Sequence, residues 1–163
     1  MEGKGDAKRY LPTYENCFVC GQGNPAGLGV RFFIEGAGVK AEFVPTEAHM
    51  GYEGIVHGGI VSALLDEIMG WPLSLKNGRL CISVEIKIRF KRPLHVGQRY
   101  IASGEAVDDN RRLWEGRGEI RDGQGLLYAE GWGRYLPLSE EETRELSGYL
   151  SYGPEVEPVF RQE

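Results

Sequence analysis

The residues best placed to do chemistry lie in one stretch, His57-Gly58-Gly59-Ile60-Val61-Ser62-Ala63-Leu64-Leu65-Asp66-Glu67-Ile68-Met69-Gly70. Ile60, Val61, Leu64, Leu65, Ile68 and Met69 recur at helical spacing over a wide apolar face. Gly58 and Gly59 open that helix, where backbone N–H groups lack helical partners and carry no side chain to shield them. Such an end suits an oxyanion or a polarised carbonyl. Asp66 is a carboxylate inside the apolar run, and it has two readings. It is an exposed acid beside Glu67 on a partly solvated face, or a base whose pKa burial raises. Asp66 follows Gly58 by eight residues, about 12 Å along the axis at 1.5 Å per residue. It therefore cannot serve the N–H groups of its own helix. Cooperation between the two needs a second copy, most simply through antiparallel helix apposition around a two-fold axis, which predicts a dimer with shared sites. His57, ahead of the Gly-Gly turn, reads as a loop-shaping residue bonded to backbone rather than a metal ligand or base.

The elements around this helix are legible from period and punctuation. Gly70, Trp71 and Pro72 predict its end, since Pro cannot continue it. From Leu80 to Lys91, Ile82, Val84, Ile86, Ile88 and Phe90 alternate with Ser83, Glu85, Lys87, Arg89 and Lys91. That pattern predicts a strand with one buried and one wet face. Three further strands fall near 98–107, 112–121 and 126–136, separated by turn-forming Asp, Asn and Gly residues. A hairpin is expected from Leu28–Glu35 and Val39–Val44 around Gly36-Ala37-Gly38. Ser139 and Glu142 have capping-box spacing for a short terminal helix. The fold class is α+β, with a curved antiparallel sheet of about six strands around one hydrophobic helix. Residues 1–15 read as a loose lead-in, 16–138 as the domain, and 139–163 as a short helix and tail.

With 163 residues and a net charge of −5, the chain reads as one domain and not as a nucleic-acid binder. No run is long enough to span a membrane and Met1–Asp6 is no signal peptide, so a cytoplasmic protein is expected. Three cysteines make no disulfide framework. Cys17 and Cys20 form a CxxC, but zinc wants about four ligands and neither a second CxxC nor an HxxxH follows. The pair is read as a structural turn with small buried thiols, with no metal and no cofactor.

Three pieces together resemble the acyl-CoA thioesterases of the phenylacetate-pathway, PaaI-like type. They are Asn16-Cys17-Phe18-Val19-Cys20-Gly21 with Asn24-Pro25-Ala26-Gly27-Leu28, then His57-Gly58-Gly59 through Asp66, then Phe90-Lys91-Arg92-Pro93. The resemblance implies a hotdog fold and hydrolysis of acyl-CoA by a homodimer or a dimer of dimers. It implies that the Gly58 N–H polarises the thioester carbonyl. It also implies that Asp66 of the other subunit is the nucleophile or the general base. Counting back from Lys91-Arg92-Pro93 places a water-assisting hydroxyl at Ser83, which must then face a site or an interface. With His57 and Gly59, Arg89, Lys91 and Arg92 are the substrate-binding candidates. Those three cations either hold the phosphates of coenzyme A or decorate a strand end for solubility. The competing functions are a hotdog dehydratase or hydratase, which would pair a catalytic His with a carboxylate, and a non-catalytic acyl-CoA sensor.

Overall fold

The computed structural model describes residues 8–110 and 112–160. In chain order the elements are β1 (Arg9–Tyr10), β2 (Thr13–Tyr14), β3 (Phe32–Glu35), β4 (Gly38–Phe43), β5 (Met50–Tyr52) and β6 (Ile55–Val56). They continue with α1 (Gly58–Asn77), β7 (Cys81–Phe90), β8 (Tyr100–Asp109), β9 (Trp114–Asp122), β10 (Leu127–Pro137), α2 (Glu140–Ser147) and β11 (Leu150–Ser151). Seven strands form one antiparallel sheet in the order β1-β3-β4-β8-β9-β10-β7, and α1 packs across β4, β8, β9, β10 and β7. This is the hotdog arrangement of one long helix held in a curved sheet. Leu64, Leu65, Ile68, Met69 and Leu73 are fully buried against Phe32, Ala41, Tyr100, Ala102 and Ile120. No helix among the described residues is long and apolar enough to cross a membrane.

Helix and sheet meet backbone to backbone. Gly104, Gly118 and Gly131 are register partners across β8, β9 and β10, and Gly116 faces Gly133 one step along. A Cβ on Gly104 would lie 1.9 Å from the Ile68 carbonyl oxygen, and one on Gly116 would lie 2.7 Å from that of Met69. Side chains at these positions would hold the helix off the sheet, so the glycines set its depth.

This close fit explains where the helix departs from its expected end. It runs through Pro72 to Asn77 and stops at Gly78, which is left-handed with φ 62°. Pro72 has no N–H to give the Ile68 carbonyl four residues back. That carbonyl is the one seated against Gly104, and Trp71, Pro72 and Leu73 are buried beyond it. Tertiary packing therefore outweighs the local penalty for proline.

The second departure is β7. Among the described residues it pairs only with β10 and forms an edge of the sheet. Its expected buried face is open to solvent in the single chain: Ile82 is 51% exposed, Val84 54% and Phe90 56%. A long apolar edge strand left bare is a pairing surface. The third is the lead-in, whose residues 1–7 lie outside the described ones. Residues 9–14 are tied down instead, Arg9 and Tyr10 pairing with β3, and Thr13 and Tyr14 with β11. The hairpin strand β3 begins at Phe32 rather than Leu28. The terminal helix has the expected box, with Ser139 Oγ accepting from the Glu142 N–H and Glu142 accepting from the Ser139 N–H.

Candidate active site

Asp66 sits at the middle of α1, on the side turned toward β7 and β10. Its carboxylate is half-buried and held by two hydroxyls. Ser83 Oγ donates to Oδ2 at 3.4 Å; Tyr135 Oη lies 2.8 Å from the Asp66 carbonyl oxygen and 3.2 Å from Oδ1, donating to both. Burial raises the Asp66 pKa above the ordinary aspartate value, and the two hydroxyl bonds, Tyr135 first, pull partly the other way. The group is thus a stronger base than a surface aspartate while remaining oriented by donors.

Ser83 reaches Asp66 because of a bulge. Residues directly opposite on paired strands share a face. Tyr135 opposes Ser83 and Gly133 opposes Ile86, but Arg134 opposes Glu85, so Val84 is the extra residue. The bulge reverses the alternation midway along β7. Ser83 therefore joins Ile86 and Ile88 on the helix side, rather than the wet face assigned by unbroken alternation. Tyr135, which sequence reasoning missed, follows Ala129, Gly131 and Gly133 along the inner face of β10. A lone tyrosine ending a row of small inward residues is the signal that could have found it, given the register.

The helix start lies at another mouth. His57 is the N-cap, and its Nδ1 accepts the Gly59 N–H at 2.8 Å. This bond ties the His57 side chain to the backbone and removes Gly59 from the pool of free donors. The His57 carbonyl accepts from Ile60 and Val61. Among the described residues the Gly58 N–H has no partner. Gly58 lines a cavity of about 300 Å³ with Val61, Phe90, Lys91, Arg92 and Leu94. A Cβ there would meet only the Phe90 ring, at 3.4 Å.

Of the three cationic candidates, Lys91 and Arg92 line this mouth, although each is engaged. Lys91 Nζ is 3.1 Å from the buried Glu130 carboxylate, and Arg92 donates to the Leu127 carbonyl at 2.6 Å. Arg89 lies apart: it opposes Glu130 across the strands and sits over the Trp132 ring at 5.4 Å.

Asp66, Ser83 and Tyr135 line a different cavity, of about 340 Å³, together with Cys17, Glu67 and Trp71. Cys17 Sγ is 3.3 Å from Glu67 Oε2 and accepts backbone N–H bonds from Val19 and Cys20, both at 3.4 Å. Trp71 Nε1 donates to Glu67 Oε1 at 3.4 Å. Bonds from the Cys20 thiol and from backbone N–H groups pull Cys17 down to about 5. Burial, with the neighbouring Cys17 charge, pushes Glu67 up to about 8. Cys20 is pushed up by its bond to Cys17 and by burial. The CxxC, read from sequence as a structural turn with small buried thiols, lies against a carboxylate from α1, and one donor atom of each of the three residues lies within 4.8 Å of the others.

This arrangement defines a class: a hotdog domain with a hydroxyl-held carboxylate on its central helix and an open helix N-terminus. The sequence model of the Thioesterase superfamily matches residues 53–129, just under half of the chain, and the fold is the hotdog fold of the solved thioesterases that it superposes on. A protein of Archaeoglobus fulgidus that carries a provisional esterase name is 22% identical over 63% of this chain; the match spans 66% of that relative, slightly under two thirds of its length. Among solved structures, a thioesterase superfamily protein superposes with a TM-score of 0.69 at 22% identity, covering 75% of this chain and 60% of its own. The E. coli PaaI protein of the phenylacetic acid degradation operon gives 0.63 at 18%, covering 69% and 81%. A provisionally named thioesterase of Streptococcus pneumoniae TIGR4, solved with coenzyme A, gives 0.59 at 18%, covering 63% and 82%.

Proposed function

We propose that this protein hydrolyses acyl-CoA thioesters at sites shared between two protomers. The observation that carries the reading is the separation of the two halves. The Asp66 carboxylate, with Ser83 and Tyr135, opens into one cavity, while the free Gly58 N–H opens into another beside Lys91 and Arg92. Pairing of two copies along the bare β7 edge would cover its apolar residues and bring Asp66 of one protomer toward Gly58 of its partner. The Gly58 N–H then polarises the thioester carbonyl and stabilises the oxyanion. Asp66 takes a proton from water, or attacks the carbonyl itself, and the coenzyme A thiolate leaves. Ser83 and Tyr135 fix the direction of the carboxylate. The relative solved with coenzyme A supports this choice of substrate handle, and Lys91 and Arg92 are placed to meet its phosphates.

A complementation experiment tests the shared site. Gly58→Pro deletes the N–H at a position where proline is tolerated in a helix, and Asp66→Asn deletes the base. Each variant alone is inactive in thiol release from acyl-CoA. A mixed dimer carries one site with both lesions and one site with neither, so co-expression restores activity. Two inactive variants that stay inactive in verified mixed dimers would place both groups within one chain. Tight acyl-CoA binding without turnover in wild type would favour a sensor.

A further inference from the structure

The thioesterase reading uses Asp66 and leaves its neighbour unexplained. Successive helical residues point about 100° apart, and Glu67 turns away from β7 toward the loop that carries Cys17 and Cys20. One donor atom from each of these three residues lies within 4.8 Å of the others. We propose that Cys17, Cys20 and Glu67 form a binding site for a zinc-class divalent cation, with the fourth position open to the cavity that also holds Asp66.

One edge of the cluster is close to what such an ion requires, and the other two are bounded at 4.8 Å. Zn–S bonds near 2.3 Å and Zn–O bonds near 2.1 Å in a tetrahedron give S···S edges of about 3.8 Å and S···O edges of about 3.6 Å. The observed Cys17 Sγ to Glu67 Oε2 distance of 3.3 Å needs only a few tenths of an ångström of adjustment. The thiolate side is already shaped for a metal. Cys17 Sγ accepts two backbone N–H groups, which orient a ligating sulfur and offset its charge. The tight turn needs Gly21, where a Cβ would lie 2.4 Å from the Cys17 carbonyl oxygen, and the Gly21 N–H closes it onto that same oxygen at 3.0 Å. On the helix side, the Trp71 indole holds Glu67 Oε1 and leaves Oε2 facing the sulfurs.

A plain turn of buried thiols does not account for Glu67. Among the described residues no lysine, arginine or histidine forms an ion pair with it; its hydrogen-bond partners are Cys17 and Trp71. Three groups that can each become anionic, packed together without a basic partner, are costly unless protonated or bound to a cation. Two thiolates with a carboxylate select a borderline-soft ion over magnesium or calcium, which prefer all-oxygen sites. Three protein donors also leave a position for water, here on the cavity side. Such an ion would tie the loop before β3 to the central helix, whatever the domain hydrolyses.

Cobalt(II) supplies the test. The tag-free full chain, reduced and stripped of metal, is titrated with Co²⁺ and then with Zn²⁺. The expected result is one Co²⁺ per chain, with a thiolate-to-cobalt charge-transfer band, intense tetrahedral ligand-field bands, and displacement by one Zn²⁺. Cys17→Ser and Cys20→Ser each lose part of the charge-transfer band. Glu67→Gln keeps that band but alters the visible bands. Each substitution weakens binding by more than the roughly 10–100-fold that loss of an outer-shell partner costs. Should the cysteine variants fail to fold, the wild-type spectrum and Glu67→Gln decide. Folded wild type that takes up no Co²⁺ with thiolate charge transfer would overturn the proposal, as would unchanged affinity in Glu67→Gln. Loss of two thiols per chain on removing reductant, without metal uptake, would replace it with a redox pair.

Discussion

Replacing Gly104 with alanine is the sharpest way to ask whether the depth of the helix in the sheet holds the site together. The added Cβ would stand 1.9 Å from the Ile68 carbonyl oxygen and 2.7 Å from its carbon, where real contacts essentially never fall below 3.0 Å. Ile68 is fully buried, and its carbonyl belongs to the helix backbone, so no side-chain rotation relieves the clash. The helix must lift by about 1 Å or the strand must bend, which places the cost at the upper end of core overpacking, about 3 kcal/mol. For a chain of this size that corresponds to a fall in Tm of about 6–12 °C. The same row supplies its own scale. Gly116→Ala, with 2.7 Å to the Met69 carbonyl, ranks next, and Gly131→Ala, with 3.4 Å to the flexible end of Met69, costs least. Gly123→Ala has nothing within 4 Å and is the control, expected within about 0.5 kcal/mol of wild type. Thermal and urea unfolding of the four variants reads the order directly. Because α1 carries both Gly58 and Asp66, a 1 Å lift should also cost about 100-fold in turnover by the fraction that stays folded. A Gly104→Ala protein that melts with the Gly123→Ala control would refute the claim that backbone contact sets the helix position.

Two further outcomes follow from the site and the edge. Tyr135→Phe removes a bond that favours the ionised form of Asp66, whose pKa already lies above the ordinary value through burial. The base is active when deprotonated, so the acidic limb of the kcat/KM profile should move to higher pH, and an unmoved limb would show that Tyr135 does not tune Asp66. Val84→Lys places a charge on the exposed apolar edge of β7 and should shift a dimer toward monomer in sedimentation velocity, with thiol release lost in parallel. An active monomer would contradict the shared site.

The sheet, the central helix and the turns were legible because each rests on a local period or a punctuating residue. What escaped was decided by register and packing. Unbroken alternation from Ile82 to Phe90 conceals the bulge at Val84 and puts Ser83 on the wet face, while the fold turns it to Asp66. Pro72 reads as a stop, but a glycine on a strand more than thirty residues later accommodates the carbonyl it leaves unpaired. The apolar face of β7 looks like core from pattern alone, and only the strand order reveals it as an edge. A histidine before a Gly-Gly turn suggests a bond to backbone, yet that the bond goes to the Gly59 N–H, which leaves Gly58 as the free donor, needs the coordinates. Tyr135 and Glu67 carry no motif at all. Their partners lie 69 residues away in one case and 50 in the other, joined only by the fold.

Free-thiol release from a panel of aryl- and alkyl-CoA thioesters, with wild type and Asp66→Asn assayed side by side, tests the central claim most directly. Asparagine keeps the size of the side chain and removes the charge, so the cavity is not emptied. The account predicts turnover of at least one acyl class by wild type and a fall of about 100-fold or more in the variant, the scale of losing general acid–base catalysis. Equal turnover by the two proteins would contradict it.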